Sequence, residues 1–278
     1  MENVSFSKAG SDWCEDRCFV CDDFGYVLDG ATSMFAGSVG DKHSSAEWWS
    51  SKWDNYLKTA LKDKDMSITQ ILRNGIKKFS KEILNFLDED KQKDFPNTTI
   101  ALFRKQKGYY EFYVLGDSPL YVETASENVI EFEDTQNMIC DSIKMEIVKS
   151  KLNGKDFVNA RYDFKDLFLK FRHELNHFGG AYALSSDEES VNHGIYRVIP
   201  SEIVKKIVAV SDGFSAYYDI FKLENKEDFV NKTNTSCDVQ NKYDKMFLIQ
   251  EEDANCNKFP RFKKRDDASI IIYYNNNR

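Results

Sequence analysis

Apolar positions along the chain change their spacing several times, and each change marks an element. Short apolar runs at 17–21 and 26–28 flank the turn-like Asp22-Asp23-Phe24-Gly25, which predicts a β-hairpin. After a glycine-bearing loop over 36–40, the spacing becomes helical. Ala46, Trp49, Trp53, Tyr56, Leu57 and Ala60 line one face of a helix expected over Ser45–Ala60, with Ser44 and Glu47 placed as a capping box. Ile68, Ile71, Leu72, Phe79, Ile83, Phe86 and Leu87 mark the buried stripe of a second helix starting after Ser67. That stripe is long enough to absorb the roughly 1 kcal/mol that Gly75 costs relative to alanine. From Thr98 the runs shorten again. Strands are predicted over 98–103, Tyr109–Leu115, Leu120–Thr124 and Val129–Phe132, joined by tight turns as an antiparallel meander. Helices follow at 137–151 and 156–176, and strand-like runs at 181–184, 195–199 and 207–210. Further helices are expected after Asp212 and over 239–254, before a closing strand at 269–274. The charged run 62–65 and the tail 275–278 read as solvated. Alternating β-α-β units are absent, which argues against a doubly wound parallel sheet.

Composition narrows the class. With 41% hydrophobic and 14% aromatic residues in 278, the chain can bury a sizeable core and is expected to fold. The net charge of −8 opposes nucleic-acid binding, which needs a basic face to displace counterions. No run approaches the roughly 18 apolar residues of a membrane span, and the first ten residues lack a secretory apolar region. A cytoplasmic location and thiol cysteines are therefore expected. Cys14, Cys18 and Cys21 crowd together, but their spacing fits no zinc signature, and buried thiols in a strand pair are the expected reading.

The candidate chemistry lies where apolar runs meet acids. Tyr26-Val27-Leu28 ends in Asp29-Gly30, Val114-Leu115 in Gly116-Asp117-Ser118, and Val208-Ala209-Val210 in Ser211-Asp212-Gly213. Arg265-Asp266-Asp267 leads into the last strand. A carboxylate at the end of a buried strand is costly unless a cation neutralises it, so these acids could converge on one cation cluster. The hairpin also brings Glu15 and Asp16 to the edge that carries Asp29. A rival pattern is His173-Glu174-Leu175-Asn176-His177, the His-Glu-x-x-His spacing of zinc peptidases. Its helix has a separate apolar stripe at Phe164, Leu167, Phe168, Phe171 and Leu175, so both histidines are expected to face solvent, and the extended form of the motif would need histidine where Ala183 stands.

The acidic motifs occur in an order that resembles the metal-dependent protein phosphatases of the PPM or PP2C type. The matches are Glu15-Asp16-Arg17, Val27-Leu28-Asp29-Gly30, Asn97-Thr98-Thr99-Ile100, Gly116-Asp117-Ser118, Ser211-Asp212-Gly213-Phe214 and Arg265-Asp266-Asp267-Ala268-Ser269. Gly179-Gly180-Ala181-Tyr182-Ala183-Leu184 is similar to a segment of bacterial members. The resemblance implies one α+β domain over the whole chain, a β-sandwich of two antiparallel sheets flanked by helices, with a helical flap at about 136–178 beside the site. It implies hydrolysis of phosphoserine and phosphothreonine in protein substrates, with two Mg²⁺ or Mn²⁺ ions and a water between them. Carried over by position, Asp29 would bridge the ions, the Gly30 carbonyl and Glu15 would bind one of them, and Asp212 and Asp266 the other. Asp16 would orient metal waters, and Asp117 would hold a third, weaker ion. Three positions depart from the family pattern. Ser11 stands where many members have a phosphate-gripping arginine, leaving Lys8 and Arg17 as candidates. Ala31 replaces a histidine found in some members, and Ala216 an aspartate of the third-ion site. These departures keep open a second reading, a catalytically weak relative that binds phosphoproteins or regulates partners.

Overall fold

The computed structural model describes residues 1–35, 37–92 and 94–276, without the side chains of Asp90 and Lys91. Among the described residues, ten strands form two five-stranded sheets in which every neighbouring pair is antiparallel. The first contains β1 (Val4–Lys8), β10 (Ala268–Tyr274), β9 (Val204–Val210), β6 (Leu120–Thr124) and β7 (Val129–Phe132), in that order. The second contains β2 (Arg17–Val20), β3 (Phe24–Gly30), β4 (Thr98–Gln106), β5 (Tyr109–Leu115) and β8 (Ile195–Pro200).

Helices α1 (Ser45–Ala60) and α2 (Ile68–Ile83) cover the second sheet, where Trp49, Trp53, Ile76 and Phe79 pack on Tyr26, Leu28, Leu102 and Tyr113. On the outer face of the first sheet, α7 (Asp212–Asp219), α8 (Lys226–Lys232) and α9 (Ser236–Glu252) bury Phe214, Phe229, Val239 and Met246 against Val208, Ile270 and Ile272. Between the sheets lie Val27, Phe103, Phe112, Val122, Ile207 and Ile271. Successive side chains of a strand point to opposite faces, so Tyr26 and Leu28 meet helices while Val27 meets the other sheet. Strands buried on both faces read as continuous apolar runs, which is why they stood out. The layers are helix, sheet, sheet, helix, as expected from the sequence. Among the described residues, no helix is long and apolar enough to cross a membrane.

Several expectations are corrected. The runs from 98 to 132 are not one meander: β4 and β5 pair in one sheet, β6 and β7 in the other, and the chain crosses between sheets at 116–119. Helix α2 stops at Ile83, where the Asn85 amide bonds the Glu82 carbonyl at 3.1 Å, and Phe86 is exposed. After Phe86, α3 (Glu89–Gln92) is a single short turn. After α4 (Thr135–Lys151), the helix expected over 156–176 is broken into a 3₁₀ turn (Phe157–Asn159), α5 (Ala160–Asp163) and α6 (Lys165–His173). Phe164 leaves the helical region at φ −120°, ψ 37°, and Phe157, Phe164, Leu167 and Phe168 gather on Val148 and Leu152 of the α4 end. The run 181–184 forms only the bridge Thr98–Leu184, because β5 takes the edge of β4 from Ile100 onward. The loop expected over 36–40 includes Ala36, outside the described residues. In the tail, Asn275 is buried and its amide donates to the Ser201 and Val204 carbonyls; positions 277 and 278 lie outside the described residues. All six cysteines are free thiols; Cys18, in β2, donates to the Phe6 carbonyl, and burial pushes its thiol up to about 12.

Candidate metal centre

The register of the β2–β3 hairpin, with Arg17 opposite Leu28, continues outward to set Asp16 beside Asp29 and Glu15 beside Gly30. Gly30 is required by that approach, since a Cβ there would lie 2.5 Å from the Glu15 carbonyl oxygen. Arg17 holds the turn from below, donating to the Cys14 and Asp16 carbonyls at 2.6 Å each and to the Ser51 hydroxyl at 2.8 Å. From the start of β10, the Asp267 carboxylate accepts the Gly10 amide at 2.7 Å and the Glu15 amide as well. The Glu15 carboxylate itself accepts from the hydroxyls of Ser44 and Thr32 and from the Trp13 indole at 3.4 Å.

The other motifs interlock with this edge. The Asp212 amide, at the first turn of α7, donates to Asp29 Oδ2 at 3.2 Å. Ser211 exchanges bonds with Ser269 of β10, through both backbones and through its hydroxyl. A Cβ on Gly213 would sit on the Asp267 carbonyl oxygen, well inside contact distance, so only glycine lets α7 approach β10 this closely. Thr98 donates its hydroxyl to the Asp29 carbonyl at 2.8 Å, and Thr99 shares a 2.6 Å hydroxyl pair with Ser118 beside Asp117. Asp29, Gly30, Asp117 and Asp212 thus come together on one cavity of about 450 Å³, with Asp16 buried behind them.

The electrostatics of this cluster are unbalanced. Asp16 is 2% exposed and its Oδ2 has no hydrogen-bond partner among the described residues. Burial, followed by the charge of Asp267, raises its carboxyl well above the usual range. Burial and the charge of Asp212 do the same to Asp29 and to Asp117. Asp212, which is open to solvent in the cavity, is raised to about 6 by desolvation and by Asp266. Asp266 does not line the cavity, and its Oδ1 is paired with Lys263 Nζ at 2.6 Å. Among the described residues, no three His, Cys, Asp or Glu side chains form a ready-made ion site. The donor set still suits a hard divalent cation: it consists of carboxylate and carbonyl oxygens, and it includes an orphaned buried oxygen.

The individual residues of the far wall of the cavity were not legible in the sequence, whose resemblance offered only a helical flap at about 136–178 beside the site. The wall comes from α4, α5 and α6 and from the segment before β10, and carries Asp141, Lys144, Arg161, Phe168, Arg172 and Lys263. Asp141 bonds Lys144 and contributes to the raised carboxyls of Asp117 and Asp212. No local signal marks these residues, because their approach depends on how the segment between β7 and β8 folds back. Asp219, three residues beyond Ala216 on α7, does not line the cavity. The histidine pair is not a metal site: α6 ends at His173, His177 lies in the following turn with its Nδ1 against the Leu175 carbonyl, and both are exposed.

Fold and site define a four-layer sandwich with an acid cluster at one sheet edge. The sequence profile of the family described as protein phosphatase 2C matches residues 8–252. The chain belongs to this family. Among solved structures it is similar to the serine/threonine phosphatase PstP/Ppp of Mycobacterium tuberculosis, with 12% identity, TM-score 0.57, and coverage of 98% of this chain and 97% of that one. It is likewise similar to the serine/threonine phosphatase Stp1 of Staphylococcus aureus, with 14% identity, TM-score 0.56, and coverage of 98% and 94%. A third similar structure is the catalytic domain of PstP in complex with two manganese ions, with 11% identity, TM-score 0.54, and coverage of 98% and 96%. No match is found among the curated proteins. At these identities the structural likeness speaks for the fold.

Proposed function

We propose that this chain is a metal-dependent protein phosphatase acting on phosphoserine and phosphothreonine. The observation that carries the proposal is the convergence of Asp29, Asp117 and Asp212 on one cavity, with the unpartnered Asp16 oxygen behind it, in a chain of the protein phosphatase 2C family. Asp29, the Gly30 carbonyl, Glu15, Asp212 and Asp266 are the groups that would hold two Mg²⁺ or Mn²⁺ ions, and Asp117 with Asp141 would face a third. When bound, such ions lower the pKa of water toward neutrality and stabilise charge developing on phosphorus.

The chain's own residues supply placement. The Asp212 amide on Asp29 Oδ2 fixes the spacing between the two carboxylates. Asp16, fixed by Arg17 through its backbone, is positioned to accept hydrogen bonds from waters behind Asp29 and so to orient them. Ile143, Phe168 and Phe171 give the opposite wall an apolar face. The segment 136–178 supplies that wall, and we assign it the choice among phosphoprotein partners.

A second reading is favoured by two observations: Lys263 already neutralises Asp266, and protein donors engage both oxygens of Glu15. On that reading the chain binds phosphoproteins and turns them over weakly. Aryl-phosphate turnover with Mn²⁺, with EDTA, and in Asp212→Asn separates the two. The phosphatase reading predicts turnover that needs Mn²⁺ and is lost in the variant; no metal-dependent turnover in the unmodified protein would leave the binding reading.

A further inference from the structure

Two arginines of the flap, one on α5 and one on α6, reach one acceptor. Arg161 and Arg172 both donate through Nη2 to the Thr32 carbonyl, Arg172 at 3.1 Å. Thr32 lies two residues beyond Gly30, so both guanidiniums stand at the edge of the acid cluster. One neutral carbonyl cannot balance two guanidinium charges. Arg172 has a second partner, Asp94, whose Oδ1 is 2.9 Å from its Nε. Arg161 has only the Met34 sulfur, a weak acceptor at 3.2 Å from its Nε. Among the described residues it forms no ion pair, and its Nη1 finds no acceptor. Lys263 adds a third positive charge to the same cavity wall.

The sequence candidates for gripping phosphate are unsuited by comparison. Arg17 spends its guanidinium on two carbonyls, Ser51 and Glu47. Lys8 is exposed at the end of β1 and does not line the cavity. Ser11 donates its hydroxyl to the Trp13 carbonyl at 3.2 Å. Apart from Asp141 and Glu174, the cavity is therefore polarised, with acids at the sheet edge and cations on the facing wall.

We infer that Arg161 is the phosphate-gripping group of this cavity, with Arg172 and Lys263 adding positive charge. A guanidinium presents a planar fork that matches two phosphoryl oxygens, and a partly desolvated arginine without a carboxylate has that fork to offer. The ligand is a phosphate monoester or inorganic phosphate. That the monoester belongs to a phosphoprotein rests on the function proposed above; the binding of phosphate does not. Asp266, Asp94 and Glu15 face the Arg161 charge and oppose an incoming anion, so phosphate should bind more tightly when Mn²⁺ neutralises the acids.

Inorganic phosphate is the probe. In the unmodified protein, phenylglyoxal labelling mapped by mass spectrometry should show phosphate protecting Arg161 but not the exposed Arg197, more strongly with Mn²⁺ than with EDTA. Arg161→Ala should raise the inhibition constant of phosphate and the KM for aryl phosphate about tenfold to a hundredfold, the range for a lost hydrogen bond to a charged group. Arg161→Lys, which keeps the charge and loses the fork, should fall between, and it serves if the alanine variant does not fold. Absence of protection, or an inhibition constant in the variants within twofold of the original, overturns the inference. If the unmodified protein shows no turnover yet phosphate protects Arg161, the proposed function fails and the phosphate site stands.

Discussion

The acid cluster makes the metal-free protein unstable in a particular pH window, and Asp212→Asn exposes this. The Asp212 carboxyl is raised from 3.8 to about 6 in the folded chain. Between those values the folded state binds more protons than the unfolded one, so stability falls as pH rises through the window. The full difference would be worth about 3 kcal/mol. Asp212 is open to solvent in the cavity, and screening leaves on the order of 1 kcal/mol. Asparagine keeps the shape and the backbone amide that bonds Asp29, and removes the charge. In EDTA at about pH 7.5, Asp212→Asn should therefore melt higher than the original, by about 2–4 °C for a chain of this size. Below about pH 3 the gap should close, because the aspartate is then largely protonated in both states. With Mn²⁺ at about a hundred times Kd the order should reverse, since only the original gains the roughly 2.7 kcal/mol of ligand binding. Melting curves by circular dichroism read all three conditions. A variant that is less stable than the original in EDTA near pH 7.5 would refute the reasoning, because it would mean that the Asp212 charge is already well compensated by protein groups.

Three further outcomes follow from the packing. Gly213→Ala drives a methyl into the Asp267 backbone, which cannot swing away; a loss of about 1–3 kcal/mol in urea denaturation is expected, together with weaker Mn²⁺ binding by titration calorimetry. Arg104 and Glu111 form a buried ion pair at 2.8 Å, 1% and 8% exposed, so Glu111→Gln should cost about 3–5 kcal/mol, whereas Arg104→Met with Glu111→Leu should cost far less. Replacing 136–178 with another sequence of the same length that retains Asp141, Arg161 and Arg172 should change the order of preference among phosphopeptides in a turnover panel and leave aryl-phosphate turnover nearly intact; an unchanged order would count against the role given to this segment.

What the sequence made legible is what short-range physics dictates. Asp29, Asp117 and Asp212 were recognisable because each ends an apolar run buried on both faces, and Glu15 and Asp16 because a four-residue turn fixes the hairpin that carries them. Capping residues placed the starts of α1 and α2 at Ser44 and Ser67. By contrast, β1 has only two apolar residues in five, and its pairing with β10 across the length of the chain has no local signature. Helix α8 is too short for a period to show. The crossing at 116–119 reads like any tight turn, which is why two sheets looked like one meander. Arg161, Arg172 and Lys263 were hidden for a related reason: their proximity to Thr32 and Asp266 arises from a segment folding back over the sandwich. Lone basic residues on helices otherwise read as solvated.

The most direct test of the account is phosphate release from a phosphoserine peptide by Asp29→Asn, measured with saturating Mn²⁺ beside the unmodified protein. Asp29 is the carboxylate on which the Asp212 amide, the Thr98 hydroxyl bond to its carbonyl and the hairpin register all converge. If it joins two ions, its loss should lower turnover by about a thousandfold or more, with the fold preserved by circular dichroism. A folded Asp29→Asn protein that releases phosphate at a rate within about tenfold of the original would contradict the account.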